Sequence, residues 1–190
     1  AFGVAHEMGW NGPALDLIDH GIRFIEKHGR SKNGGWVRTL GVDGSVSDSA
    51  EDAYDHSCIL LALAFALKAG HKDAARLGSE TFAFIDRHLS ADGGASFLET
   101  SQCGNPRRSN PHMHLFEAFL AWHKVTGEAA YLARATKIAN LFAARFFDPD
   151  TWTLGEYFES DWLPAAGDKG TWTEPGHHFE WASLLVEYGE

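Results

Sequence analysis

Cysteine is scarce: the 190 residues hold two, Cys58 and Cys103, far apart and without CxxC spacing. That excludes a disulfide framework and a zinc knuckle, and a reducing cytoplasm is the expected setting. Basic charge is also in deficit, with 16 Lys and Arg against 26 Asp and Glu and a formal net charge of -10. A phosphate backbone needs clustered cations, so nucleic acid is not an expected partner. Long apolar runs are missing as well. The longest, 58–67, falls well short of the roughly 20 residues of a membrane span, so no membrane partner is expected. The first residues show no charged region leading into an apolar one, and no signal peptide is expected.

What is present is ordinary globular composition, 44% hydrophobic and 22% charged, of a length that suits a single domain. Two details stand out: 11 His and 7 Trp, with aromatics at 13%. Aromatic faces suit sugar rings. Excess His suggests titration near neutral pH or metal binding.

Hydrophobic periodicity makes the chain mostly helical. Helices are expected over 13–27, with Pro13 at a first helical position, and over 48–69, with Asp48 as cap and Gly70 as stop. Further helices are expected over 72–89, 111–126 before Gly127, 128–147 and 175–188, with 1–10 as the tail of another. Between them lie polar or Gly-rich segments at 34–47, 92–106 and 148–173, with short hairpins at 36–40 and 95–99. Nothing in the composition marks a linker. A repeat of about 57 residues is visible: the helix ending at Gly70 is followed by 72–75, and the helix ending at Gly127 by 128–131. Helix pairs of this size build a superhelix or a closed α/α ring. A plain helical bundle is the simpler alternative.

The chemistry concentrates at three helix starts: Tyr54-Asp55-His56, Asn110 through Glu117, and Glu174 through Trp181. Two carry a His-x-x-Glu pattern, His114 with Glu117 and His177 with Glu180. Residues three apart share a helix face, where a carboxylate orients an imidazole and stabilises its charged form. A free imidazole titrates near about 6.5, so two of them can divide acid and base roles at neutral pH. The bland reading is a pair of local salt bridges. A metal site from His112, His114 and Glu117 is weighed and disfavoured, because i and i+2 diverge on a helix. Arg107 and Arg108 suit a phosphate or carboxylate, although loop arginines are more often solvated. Among the tryptophans, Trp181 beside Glu180 is the best stacking candidate.

Gly34-Gly35-Trp36, Asp43-Gly44, Tyr54-Asp55-His56, Asn110-Pro111-His112-Met113-His114-Leu115-Phe116-Glu117-Ala118 and Pro175-Gly176-His177-His178-Phe179-Glu180-Trp181 together resemble the N-acylglucosamine 2-epimerase superfamily, especially its mannose isomerase and mannose-6-phosphate-isomerase-like members. The resemblance runs through the whole chain. It implies an all-α (α/α)6 barrel, about half of it present, so that 1–190 forms one domain from the middle of a longer barrel. It implies aldose–ketose isomerisation of mannose and fructose type, or C2 epimerisation of an N-acyl-hexosamine, without cofactor or metal. The substrate is then a small monosaccharide.

By the same resemblance His114 and His177 are catalytic, and Tyr54, Asn110 and Glu180 line the cavity; the residue pattern adds Glu117 and Trp181 to the expected substrate-binding set and makes Glu180 the group that orients His177. The family's upstream arginine and third catalytic histidine have no counterpart here. A half ring leaves apolar flanks exposed, which invites homo-oligomers. The acidic balance mildly favours a neutral sugar. Rival readings are a glycosidase or lyase, marked by reducing-sugar release, and a non-catalytic sugar-binding module, marked by binding without turnover.

Overall fold

The computed structural model describes residues 1–102 and 106–190; Cys103 lies outside the described residues. Seven helices are present among them: α1 (Phe2–Glu7), α2 (Ala14–His28), α3 (Ala53–Lys68), α4 (Ala74–Phe84), α5 (Ser109–Thr126), α6 (Ala129–Leu141) and α7 (Pro175–Gly189). They form two layers. Helices α1, α3, α5 and α7 pack side by side in one row, and α2, α4 and α6 each back onto the row helix before them. The layering follows from composition. Helix α3 is apolar nearly all round and buries Leu60, Leu63, Ala64 and Ala66, whereas α2 carries one apolar stripe and buries only Ala14 and Ile22.

The core between the layers is aromatic. Trp36, Phe97, Phe116, Phe119, Phe146 and Trp181 are buried completely or nearly so. Trp122 is pinned by its indole N–H, which donates to Leu60 O at 2.7 Å, and its ring lies against Gly78 of α4. A Cβ at Gly78 would stand 2.1 Å from that ring. Glycine here serves close approach of α4 to α5, at some cost in helix propensity.

Four short antiparallel pairs sit at the ends of the helices. Strand β1 (Thr39–Leu40) pairs β2 (Val46–Asp48), and β3 (Ser90–Ala91) pairs β4 (Ser96–Phe97). Strand β5 (Arg107–Arg108) pairs β8 (Tyr157–Phe158), and β6 (Phe147–Asp148) pairs β7 (Thr153–Leu154). The hairpins expected near 36–40 and 95–99 are therefore present. Helices α4 and α6 stop earlier than periodicity implied. Each widens into a single π turn, Ile85–Leu89 and Phe142–Phe146, before entering its hairpin. The two π turns begin 57 residues apart, so the repeat extends to its irregularities.

Helix α3 begins five residues later than the sequence suggested. Asp52, not Asp48, is its cap: Asp52 Oδ1 accepts from the Tyr54 and Asp55 amides at 2.8 and 3.4 Å. Asp48 ends β2 and accepts instead from Ala50 N at 2.9 Å, closing a turn that helical backbone cannot share. The helix stops are as expected. Gly70 (φ +85°) and Gly127 (φ +72°) turn left-handed just after α3 and α5.

The repeat is held by histidine. His56, His112 and His178 each stand four residues after a helix cap. Each Nδ1–H donates to the carbonyl of that cap, at 2.7 Å to Asp52, 2.8 Å to Arg108 and 2.9 Å to Glu174. Each Nε2 accepts a backbone N–H from a hairpin, at 3.0 Å from Trp36, 3.0 Å from Phe97 and 3.1 Å from Leu154. The ring thus fastens a hairpin to a helix start, and only a neutral ring can do so. Burial pushes His56 and His112 down to about 4.

The two histidines of the His-x-x-Glu patterns, His114 and His177, are not repeat-equivalent, since they follow their caps by six and three residues. The equivalent set is His56, His112 and His178. His112 has both ring nitrogens committed to backbone, which removes it from any metal site with His114.

Two predictions follow from the packing. The folded values of His56 and His112 lie below the free imidazole's, so the unfolded chain takes up their protons first. Their contribution is complete above about pH 6.5 and drains as pH falls toward about 4, on the order of 3 kcal/mol for each ring. Urea unfolding across that window tests it: stability must fall with acid, and His112→Ala must lower it at pH 7 by about 3 kcal/mol. Gly78→Ala, in spite of better helix propensity, is expected to cost about 1–3 kcal/mol through collision with Trp122, read as a drop in Tm.

Candidate active site

The helix rows bring several of the polar groups together on one face. The Tyr54 ring of α3 meets the His114 ring of α5 edge-on, centroids 5.1 Å apart. Asn110, one helical turn before His114, donates its Nδ2 to His177 Nε2 of α7 at 2.9 Å. These two contacts link α3 to α5 and α5 to α7. His114 Nδ1 lies 3.2 Å from Glu117 Oε2, so the first His-x-x-Glu pair forms as the sequence implied. The carboxylate of Glu180 is close enough to raise the Tyr54 phenol, after the larger effects of the Cys58 thiol and burial. Tyr54 is therefore held as a protonated donor at neutral pH.

The second His-x-x-Glu pair does not form. His177 Nδ1 bonds to Glu156 Oε1 at 2.9 Å, across 21 residues, and Glu180 is exposed on the next turn of α7. Glu156, 7% exposed, also accepts the Ser109 hydroxyl at 3.0 Å, while its backbone carbonyl accepts Ser109 N–H at 3.2 Å. The partner of His177 is thus supplied by a hairpin and not by its own helix. Trp181, expected to stack on a sugar, is 1% exposed and packs against Phe116 and Phe142 at 5.6 and 4.5 Å. It has no face to offer; three apolar neighbours of a buried helix position claim it first.

Sequence reasoning missed the hairpin residues, though a signal existed. Two positions after each residue whose N–H meets a histidine ring stands a charged side chain: Arg38 after Trp36, Glu99 after Phe97, Glu156 after Leu154. All three reach the helix starts. Arg38 pairs with Asp52 at 2.8 Å and Asp48 at 3.2 Å, and lies 3.8 Å from Asp55. Glu99 accepts Arg108 N–H at 2.7 Å and Arg108 Nε at 2.6 Å. Burial pushes Glu99 up even so. Arg107, 8% exposed, pairs with Asp92 at 3.0 Å and lies over the Trp162 ring. Neither loop arginine is the solvated pair of the simpler expectation, because each is neutralised by a carboxylate within reach. Among the described residues no group of three or more His, Cys, Asp and Glu is arranged to hold a metal ion, and no helix is long and apolar enough to cross a membrane.

A repeated helix-pair scaffold that carries tyrosine, asparagine, glutamate and two imidazoles at its helix starts defines the class: a helical repeat protein with a polar face. The N-acylglucosamine 2-epimerase (GlcNAc 2-epimerase) family matches residues 1–190, and the chain belongs to that family. It is 34% identical over 194 residues to a mannose-6-phosphate isomerase of Rhizobium meliloti (strain 1021), covering 100% of this chain and 50% of that protein. It is 34% identical over 204 residues to a D-mannose isomerase of Thermobifida fusca, covering 96% of this chain and 48% of that protein. The chain spans about half the length of the curated relatives it matches. The fold is also that of cellobiose 2-epimerase from Spirochaeta thermophila DSM 6192, with TM-score 0.88, 22% identity, 98% of this chain and 50% of that one.

Asp55, like Glu99, lies out of its ordinary range. Burial, with the Asp52 charge, pushes Asp55 up to about 6 against the pull of Arg38. A raised carboxyl costs stability when ionised, so the cost is absent below about pH 4 and complete above about pH 6. Asp55→Asn is expected to raise Tm at pH 7 to 8, by an increment that shrinks to nothing by about pH 4. A Tm gain independent of pH contradicts this account.

Proposed function

We propose that this chain forms one arc of an (α/α)6 ring and that its polar face interconverts an aldose and a ketose, of mannose and fructose type, or epimerises a sugar at C2. The observation that carries the proposal is the His177 imidazole, held through Nδ1 by Glu156 and, among the described residues, hydrogen-bonded at Nε2 by the Asn110 side-chain amide. Such a ring can give and take a proton. The latch histidines cannot, because backbone occupies both of their nitrogens. Membership in an epimerase family and the hexose isomerases among its relatives fit the same chemistry.

In the open-chain aldose the C2–H bond breaks and an imidazole takes the proton. The electron pair moves into the C1–C2 bond, and the carbonyl oxygen O1 gains a proton, giving an enediol. Loss of the O2 proton with protonation at C1 gives the ketose; loss of the O1 proton with protonation at C2 from the opposite face gives the epimer. No electrons leave the sugar in either case. His177 and His114 are the acid–base pair of this reading. Glu117 orients His114, while Tyr54 and Asn110 hold sugar oxygens as donors as charge develops on them. Glu180 accepts a sugar hydroxyl. Arg38 and Arg108 are already paired with carboxylates, so the face suits a neutral hexose better than a phosphorylated one.

The test is to make His177→Asn in the full gene product and follow solvent-deuterium incorporation at C2 of mannose by NMR. Exchange is expected to fall about 10²-fold or more. Undiminished exchange rules His177 out as a proton carrier.

A further inference from the structure

We propose that Glu156 is the positioning residue of this site: it fixes the Nδ1–H tautomer of His177 and so keeps Nε2 as the basic nitrogen. The proposal rests on His177 being the proton carrier.

A carboxylate oxygen accepts and does not donate, so the 2.9 Å contact from Glu156 Oε1 places the ring proton on Nδ1. The Ser109 hydroxyl occupies Oε2 at 3.0 Å and holds the carboxylate in that orientation. Ser109 N–H bonds the Glu156 carbonyl, which fastens the whole residue to the start of α5. Glu156 is buried, and its register in the hairpin is the one that gives Glu99 to Arg108 in the preceding repeat. One repeat spends the position on an anchor for backbone and guanidinium; the next aims it at an imidazole.

The other side of the ring agrees with this assignment. Asn110 Nδ2 donates to Nε2 at 2.9 Å, which requires a lone pair there. Asn110 Oδ1 is buried with no hydrogen-bond partner among the described residues. Turning the amide exchanges the two atoms. Oδ1 then accepts from Nε2–H once the ring has taken a proton. A side-chain amide serves both protonation states in this way. The backbone N–H that meets each latch histidine serves only one.

The experiment uses Glu156→Gln, which keeps volume and shape. With the Ser109 hydroxyl drawing the Gln oxygen, its NH₂ group faces Nδ1 and the ring proton moves to Nε2. Histidine ¹⁵N shifts, assigned by the signal lost in His177→Asn, are expected to report Nδ1–H in the wild type and Nε2–H in E156Q. The kcat for mannose is expected to fall about 10²- to 10⁴-fold, with KM changed less than about 2-fold. Glu156→Asp, which retains the charge, is expected to keep Nδ1–H and to recover part of kcat, which separates positioning from folding. An E156Q ring that stays Nδ1–H overturns the proposal, as does a flipped ring with undiminished kcat. Full C2 exchange in His177→Asn removes the proton-carrier reading itself, and with it the catalytic purpose of Glu156. A retained Nδ1–H in E156Q beside an inactive His177→Asn overturns Glu156 alone.

Discussion

The fold depends on a neutral imidazole that accepts a hairpin N–H and ties it to a helix cap carbonyl. At each start of α3, α5 and α7, a cap carbonyl and a hairpin N–H face one another across the width of a ring. Leaving the buried N–H of Trp36 or Phe97 unpaired would cost about 1–3 kcal/mol, so at α3 and α5 the ring is a structural requirement and not an ornament of the helix. It also sets register. Once the hairpin is tied at Trp36, Phe97 or Leu154, the residue two places on must emerge at the helix start. That is how Arg38, Glu99 and Glu156 come to face α3, α5 and α7.

The same constraint explains why neighbouring histidines of α5 differ so sharply. His112 is wholly buried and gives both nitrogens to backbone, and it is held neutral far below the usual imidazole range. His114, two residues on, lies on the adjacent face, half-buried, with a carboxylate at Nδ1 and a tyrosine ring beside it. Residue type is identical; helix geometry decides which ring is mortar between backbone groups and which meets side chains instead. His177 and His178 repeat the contrast on α7, with Glu156 in the carboxylate's place.

The electrostatics of the face are acidic but partitioned. Asp52 caps α3 and also receives Arg38, with Arg108 at 4.0 Å, so one carboxylate ties a helix start to two strand arginines. Asp55 is raised by its burial and by the Asp52 charge, against the pull of Arg38. The guanidiniums are spent on organising the scaffold.

The sequence by itself determined the helices, the stops at Gly70 and Gly127, the 57-residue repeat and the family, because apolar periodicity, left-handed glycines and motif order are local properties. It also carried Asn110, His114 and Glu117 as companions, since i and i+3 or i+4 neighbours on one helix can be read from spacing alone. Only the tertiary structure decided who faces His177. The i+3 glutamate, Glu180, was the local expectation, but a hairpin tied 21 residues upstream delivers Glu156 more directly. Tertiary packing likewise took Trp181 into the core, where three aromatic neighbours outweigh one polar rim. A spacing rule counts residues along one chain segment; the hydrogen bonds that set this site cross between segments, and their partners are chosen by where the latch histidines fasten the hairpins.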